Sequence, residues 1–197
     1  MRNLLSLSIL IPGIIYAGDF DNILLRSESP VSILSSDSGK CIRYKDLTVV
    51  TRANAESVAG EQILVKESST VGCSWQPNQG WITDSGQASY FIGKSESNLF
   101  VDQGTAPGYR DILIYDMHTR QINYRSGYFA PIEIKNRQLK YWQSTPIAAV
   151  ESNCNIYDPQ VIASGITLEI QHYVAVNLLT YQLQVIESAP IRCQSVQ

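Results

Sequence analysis

The sequence predicts a mostly β protein: a single antiparallel β domain that follows an N-terminal signal peptide. Short runs of alternating apolar and polar residues, separated by turn-forming residues, are typical of strands. No apolar stripe continues at helical spacing. Alternation alone leaves three arrangements of the strands open: a barrel, a sandwich or a propeller-like meander.

Residues 1–17 have the plan of a secretory signal peptide. Arg2 supplies one positive charge, an apolar stretch follows, and Ala17 and Gly18 are small residues suited to cleavage. The apolar stretch is shorter than the roughly 20 residues of a membrane-spanning helix. We expect cleavage after Ala17, with Gly18 as the alternative site, and residues 18–197 as one domain. An uncleaved anchor or a buried N-terminal strand is the competing interpretation.

The four cysteines fit an oxidising compartment. Cys41, Cys73, Cys154 and Cys193 allow three connectivities. We expect the disulfides Cys41–Cys73 and Cys154–Cys193, because each closes a segment with locally paired strands. No two cysteines have the two-residue spacing of structural zinc sites, so no metal site is expected. The chain has no N-x-Ser/Thr glycosylation site, which favours the bacterial periplasm over a eukaryotic secretory route.

The N-terminal part of the domain has two strand-like runs. Leu47–Thr51 and Gln62–Glu67 are rich in β-prone residues. Between them, Ala53–Ala59 has mild helical propensity but is short. This part therefore contributes strands to the predicted sheet.

A meander of short strands is predicted in the middle of the chain. The pair Asn136-Arg137 suits a tight turn, because Asn tolerates a positive φ. The stretch between Asn98 and Trp142 resembles one blade of a propeller, although no repeat of fixed period recurs elsewhere. The six predicted strands are Ser89–Gly93, Asn98–Asp102, Ile112–Tyr115, Gln121–Tyr124, Pro131–Lys135 and Gln138–Trp142.

The C-terminal third predicts one more strand pair. Apolar residues alternate from Ile166 to Val176, and a returning strand carries Tyr181, Leu183 and Val185. The turn between them covers Asn177–Thr180. The whole chain thus reads as β structure.

Charge and motifs exclude several functions. The net charge is −3, so no basic surface for nucleic acid is expected. Two histidines cannot form a three-His metal site. The motifs for a P-loop, a dinucleotide-binding turn, a Gly-x-Ser-x-Gly elbow and a calcium loop are absent. No cofactor is therefore expected.

The titratable residues suggest no catalytic set. His118 falls in a predicted turn, where a solvated side chain is expected. His172 is two residues from Val174 in the predicted strand and so shares its face, and we expect a core or rim histidine. The alternative is a bulge in the strand that turns Tyr173 inward. Two carboxylates among Asp102, Asp111 and Asp116 would suit glycoside hydrolysis if they flanked a cleft. We expect exposed turn residues there instead, because nearness in sequence does not provide that geometry.

The loop from Gly104 to Arg110 is the predicted partner-binding segment. Gly and Pro give it an irregular backbone, and Tyr109 and Arg110 are residue types enriched in interface hot spots. The structural alternative is that Arg110 pairs with Asp102 or Asp111 while Tyr109 lies on the sheet.

These observations lead to one expected function and two alternatives. We expect a periplasmic or secreted, non-catalytic binding protein with a protein partner, such as an inhibitor or immunity protein against a cell-wall-degrading enzyme. The first alternative is an extracytoplasmic hydrolase that uses scattered carboxylates or His172. The second is an envelope-associated structural protein that assembles through sheet edges. The sequence leaves the oligomeric state open.

Overall fold

The computed structural model describes residues 28–37, 39–55, 59–68, 72–83, 88–105 and 108–196. The predicted signal peptide lies outside these ranges, as do residues 56–58 of the weakly helical segment and residues 106–107 of the predicted binding loop. No helix in the described part of the chain has the length and hydropathy needed to cross a membrane.

The described strands form two antiparallel sheets, which confirms the predicted fold class. The smaller sheet has the order β1-β2-β3-β4-β5. The larger sheet has the order β12-β11-β10-β9-β8-β7-β6, and β13 also pairs with β11. Neither sheet closes into a barrel within the described ranges. A five-residue helix, α1 (Pro159–Ala163), follows β10. The strands are β1 (Ser32–Ser36), β2 (Gly39–Arg43), β3 (Thr48–Ala53), β4 (Glu61–Lys66), β5 (Trp81–Ile82), β6 (Ser89–Ser95), β7 (Asn98–Gln103), β8 (Tyr109–Asp116), β9 (Ile122–Lys135), β10 (Gln138–Ala148), β11 (Thr167–Asn177), β12 (Leu183–Val185) and β13 (Arg192–Val196).

A shared apolar core joins the two sheets face to face. Because side chains alternate between the faces of a strand, each of β7 and β8 sends every second residue into this core. The smaller sheet supplies the opposite side. Members of the core include Ile42, Tyr44, Val49, Ile63, Val65 and Trp81 from the smaller sheet or its connections, and Phe91, Leu99, Val101, Leu113 and Tyr115 from the larger one.

A second core lies on the other face of the larger sheet. It combines residues from β6 through β11, so the sheet must curl for its distant strands to meet. Asn98 on β7 joins the two ends: its amide donates to the Leu178 carbonyl oxygen at 3.1 Å, and the Tyr181 hydroxyl donates to its Oδ1 at 2.7 Å. The core includes Ile92, Phe100, Ile112, Ile114, Tyr128, Ile132, Leu139, Tyr141, Val174, Val176 and Leu178.

One strand assignment from the sequence is wrong. The segments Gln121–Tyr124 and Pro131–Lys135, predicted as separate strands, belong to the single 14-residue strand β9. Proline lacks a backbone N–H and usually interrupts a strand. Pro131 is tolerated because it sits where the register between β9 and β10 shifts, and the Ala130–Pro131 peptide bond there is cis.

Both predicted disulfides are present. Cys41–Cys73 ties β2 to the segment after β4, and Cys154–Cys193 ties the turn after β10 to β13. No free cysteine remains among the described residues. A native disulfide of this kind contributes about 2–5 kcal/mol to folding.

Candidate functional site

The predicted binding residues, Tyr109 and Arg110, are the first two residues of strand β8, and their side chains point in opposite directions. Tyr109 is 52 % exposed, whereas Arg110 is only 6 % exposed. Successive side chains of a strand project to opposite faces, so one backbone segment presents Tyr109 outward and buries Arg110.

The Arg110 guanidinium is held in a buried ion pair with Asp102. Its Nε lies 2.8 and 2.6 Å from the two carboxylate oxygens, and a terminal nitrogen also contacts the carboxylate. The Tyr128 hydroxyl donates to Asp102 Oδ1 at 2.7 Å. Burial lowers the pKa of Arg110, but the bond and charge of Asp102 outweigh burial and raise it overall. Burial, followed by the Asp102 charge, raises the pKa of Tyr128.

This arrangement matches both parts of the structural alternative: Arg110 pairs with Asp102, and the Tyr109 ring packs on the sheet against β9. A guanidinium committed to Asp102 inside the sheet holds the start of β8 in place but offers no donor at the surface. Of the two predicted residues, only Tyr109 has an exposed side chain.

Tyr109 begins a row of aromatic residues that crosses four strands. In register, Tyr109 lies opposite Phe129, Phe129 opposite Trp142, and Trp142 opposite Tyr173. Residues directly opposite each other in antiparallel strands share a face. The Tyr109 and Phe129 ring centroids are 5.3 Å apart, and those of Trp142 and Tyr173 are 5.1 Å apart. These four residues are called the aromatic row below.

Arg192 fixes the centre of the aromatic row. Its guanidinium carbon lies 4.5 Å from the Trp142 ring centroid. The same group donates to Gln171 Oε1 at 2.8 and 2.5 Å and to the Ala130 carbonyl oxygen at 3.0 Å. Burial lowers the pKa of Arg192. Because Arg192 reaches from β13 to β9, it ties the strands beneath the rings together.

The two ends of the aromatic row are also fixed. The Tyr173 hydroxyl donates to Glu133 Oε1 at 2.9 Å, and burial, then Glu133, raises the pKa of Tyr173 to about 12. At the other end, the Tyr109 ring lies over Gly127, where any added Cβ would overlap the Tyr109 hydroxyl. Phe129 is buried, while Trp142 and Tyr173 are half-buried. These contacts hold the rings of the aromatic row against the larger sheet.

The two histidines lie on different elements, His118 in the turn after β8 and His172 on β11. His118 is an exposed turn residue, as predicted, and lines a cleft of about 320 Å³. His172 is half-buried on the same face as Val174, and its strand pairs without the proposed bulge at Tyr173. No hydrogen bond or ion pair joins the His172 side chain to another described residue. This position fits the predicted core or rim histidine.

Each of the remaining candidate carboxylates has its own structural partner. Asp111 accepts from Arg125 at 3.0 and 2.6 Å. Asp116 accepts from the backbone N–H groups of Thr119 and His118, and these bonds, chiefly the one from Thr119, lower the pKa of Asp116. Within the described ranges, no group of three or more His, Cys, Asp or Glu side chains is arranged to hold a metal ion.

Sequence reasoning missed most of the aromatic row. The missed members are Phe129, Trp142 and Tyr173. Together with Arg192, which contacts Trp142, they are spread over 64 positions and share no local motif. The one available signal was aromatic residues at the middle of strands, and this becomes informative only when the register is known.

Comparisons with protein-family models, with curated proteins and with solved structures found no match.

Proposed function

We propose that this protein is an exported, non-catalytic binding protein that contacts a protein partner through the aromatic row. The partner class we propose is an enzyme that degrades the cell wall, with this chain as its inhibitor or immunity protein. The predicted leader and the two disulfides support export to the periplasm or the cell exterior.

The aromatic row is the observation that carries the proposal. Tyr, Trp and Arg dominate interface hot spots, and Tyr and Trp bring large contact areas at little conformational cost. Here Tyr109 is exposed, and Trp142 and Tyr173 are half-buried beside Arg192. Rings already fixed by neighbours lose little further entropy on binding, which favours affinity.

The charge of the chain supports the choice of partner. The net charge is −3, and removal of the predicted leader takes away Arg2 and leaves −4. A weakly acidic binder is steered towards a basic surface, and a basic cleft would suit an enzyme that acts on an anionic polymer. Steering of this kind weakens as salt increases.

The test is capture from an envelope extract with the oxidised protein, followed by an activity assay of the captured enzyme. We expect one enzyme at equal stoichiometry, inhibited by the wild-type chain. Tyr109→Ala should abolish capture with little change in melting temperature. Ile33→Ala is the matched control, since Ile33 is 46 % exposed but lies on β1 of the other sheet.

Two outcomes would overturn the proposal. Capture that survives Tyr109→Ala would remove the aromatic row from the interface. Turnover of peptidoglycan or an ester by the purified chain, abolished by His172→Ala, would instead identify a hydrolase.

A further inference from the structure

The Cys41–Cys73 disulfide lies in a cleft on the outer face of the smaller sheet. The cleft has a volume of about 470 Å³ and is formed by β1, β2, β3 and the segment after β4. Cys41 is buried, while Cys73 is half-buried. Trp75 forms one wall, with the Arg52 guanidinium carbon 4.1 Å from its ring centroid. A molecule in the cleft would therefore lie beside the disulfide.

Two cations without carboxylate partners surround Cys73. The Arg43 guanidinium donates to Cys73 Sγ at 3.6 Å, and its buried Nε has no hydrogen-bond partner among the described residues. The Lys66 ammonium donates to the carbonyl oxygens of Gly72 at 2.9 Å and Ser74 at 2.7 Å, on either side of Cys73. Neither cation forms a salt bridge within the described part of the chain.

This positive surrounding favours thiolate chemistry at the disulfide. Reactive cysteines occur where a sulfur is partly accessible and close to cations, because positive charge stabilises the thiolate. Arg43 lies two residues from Cys41 on the same face of β2, and Cys41 Sγ is bonded to the Cys73 Sγ that the guanidinium contacts, so the charge lies near both sulfurs. Thiol–disulfide exchange becomes faster when the departing sulfur is stabilised as a thiolate.

We propose that this cleft is a thiol-exchange site at which a small anionic thiol forms a mixed disulfide with Cys73. The incoming thiolate attacks the accessible Cys73 Sγ and forms a new S–S bond. The Cys41–Cys73 bond breaks, its electron pair passes to Cys41 Sγ, and that sulfur takes a proton from water. A second molecule of the small thiol then attacks the small-thiol sulfur of the mixed disulfide. This step releases the disulfide of the two small thiols and leaves Cys73 reduced. The inference does not depend on the proposed binding function.

The cleft itself indicates a small and anionic thiol. Its volume is in the range of about 300–1,000 Å³ that suits small-molecule ligands. Lys40 and Arg52 are the charged residues of the described lining, which contains no Asp or Glu. Ser74, which is exposed and follows Cys73, adds a hydroxyl donor for a carboxylate.

The second disulfide provides an internal control within the same molecule. Cys154 is 4 % exposed and Cys41 is 5 % exposed, and each pairs with a half-buried cysteine. No described cation bonds to a sulfur of Cys154–Cys193, and the neighbouring Arg192 guanidinium is directed to Gln171 and Trp142. The two bridges thus differ in charge and cleft more than in burial.

The experiment exposes the folded, oxidised protein to glutathione, quenches with acid and locates adducts by mass spectrometry. We expect the glutathione adduct on Cys73 and opening of Cys41–Cys73 about tenfold faster than opening of Cys154–Cys193. Cysteamine, a cationic thiol, should lose most of that preference. Glutathione and cysteamine differ in intrinsic reactivity. The opening rate of Cys41–Cys73 is therefore compared with that of Cys154–Cys193 within each sample, which removes this difference.

Variants then test the role of the charge. Arg43→Gln should reduce the preference for Cys41–Cys73, and Arg43→Lys should retain most of it, with thermal unfolding recorded for both. Equal opening of the two disulfides by glutathione, or an adduct on Cys41, would overturn the proposal without any variant. Reaction with a protein thiol but not with glutathione would contradict the small-thiol assignment.

Discussion

Removing the charge of Asp102 should destabilise the protein far more than the same change at a neighbouring ion pair. Asp102 and Arg110 side chains are 3 % and 6 % exposed, so Asp102→Asn removes the negative charge paired with a buried guanidinium. Breaking a buried pair from one side typically costs about 3–5 kcal/mol of unfolding free energy. The Tyr128 hydroxyl also loses its charged acceptor.

The matched control is Asp111→Asn, one strand away. Asp111 pairs with Arg125, whose side chain is exposed to solvent. An exposed pair is worth about 0–1 kcal/mol, so the control should lie within that range. Urea unfolding followed by tryptophan fluorescence gives the free energy of each variant. Similar losses for the two variants would refute the claim that Arg110 is committed to the interior.

A double replacement separates the charge from the packing. Asp102→Asn combined with Arg110→Met removes both charges of the pair, the Asp102 carboxylate and the Arg110 guanidinium. Most of the loss should be recovered, because a buried pair replaced by apolar groups of similar volume is often neutral in stability. If the double variant is as unstable as Asp102→Asn, then steric packing rather than unpaired charge causes the effect.

Two further predictions concern stability. Burial is the largest cause of raised pKa values at Tyr44, Tyr128 and Tyr141, so the folded state keeps these phenols neutral where the unfolded chain ionises them, near pH 10.0. Their contribution to the unfolding free energy is complete below that pH and should fall by about 1.4 kcal/mol per pH unit per tyrosine above it. An ultraviolet titration should show these three tyrosines ionising only on unfolding. Ionisation of all tyrosines in a single step with the fold intact would contradict this. Replacing Cys154 and Cys193 together by alanine should lower the unfolding free energy by about 2–5 kcal/mol in urea; an unchanged midpoint would mean that the bridge adds nothing to the fold.

Local signals in the sequence were sufficient for most of the larger sheet. The turn at Asn136 and Arg137 was predicted from residue type, and both residues have positive φ, at 52° and 59°. Strands β6 and β7 begin where the alternation placed them, whereas β8 begins at Tyr109, three residues earlier than expected and within the predicted loop. In each case the cue and the structure involve the same few residues.

Other elements had weaker or unused signals. Strand β1 is rich in serine and lacks clean alternation, and β13 has no apolar face of its own. The helix α1 did have a local signal, since Asp158 caps it and Pro159 occupies its first turn. Weak cues of this kind are overridden by pairing with distant strands, as β13 shows by its pairing with β11.

The aromatic row could not be predicted from any short stretch of the sequence. Tyr109 was identified from its loop, but its neighbours in the aromatic row are set by strand register. The register between β9 and β10 shifts between Lys140 and Trp142, beside the cis Ala130–Pro131 bond. A register without that shift would place a residue other than Phe129 opposite Trp142, so the row follows from the shift and not from any motif.

The larger sheet acts as a partition between two apolar compartments. Adjacent residues such as Phe100 and Val101 on β7 belong to different cores, one on each side. A backbone shift in that wall disturbs packing in both compartments simultaneously, so neither can melt while the other stays intact. The chain should therefore lose its structure in one cooperative heat-absorption peak, despite the separate hydrophobic interiors on the two faces of this sheet.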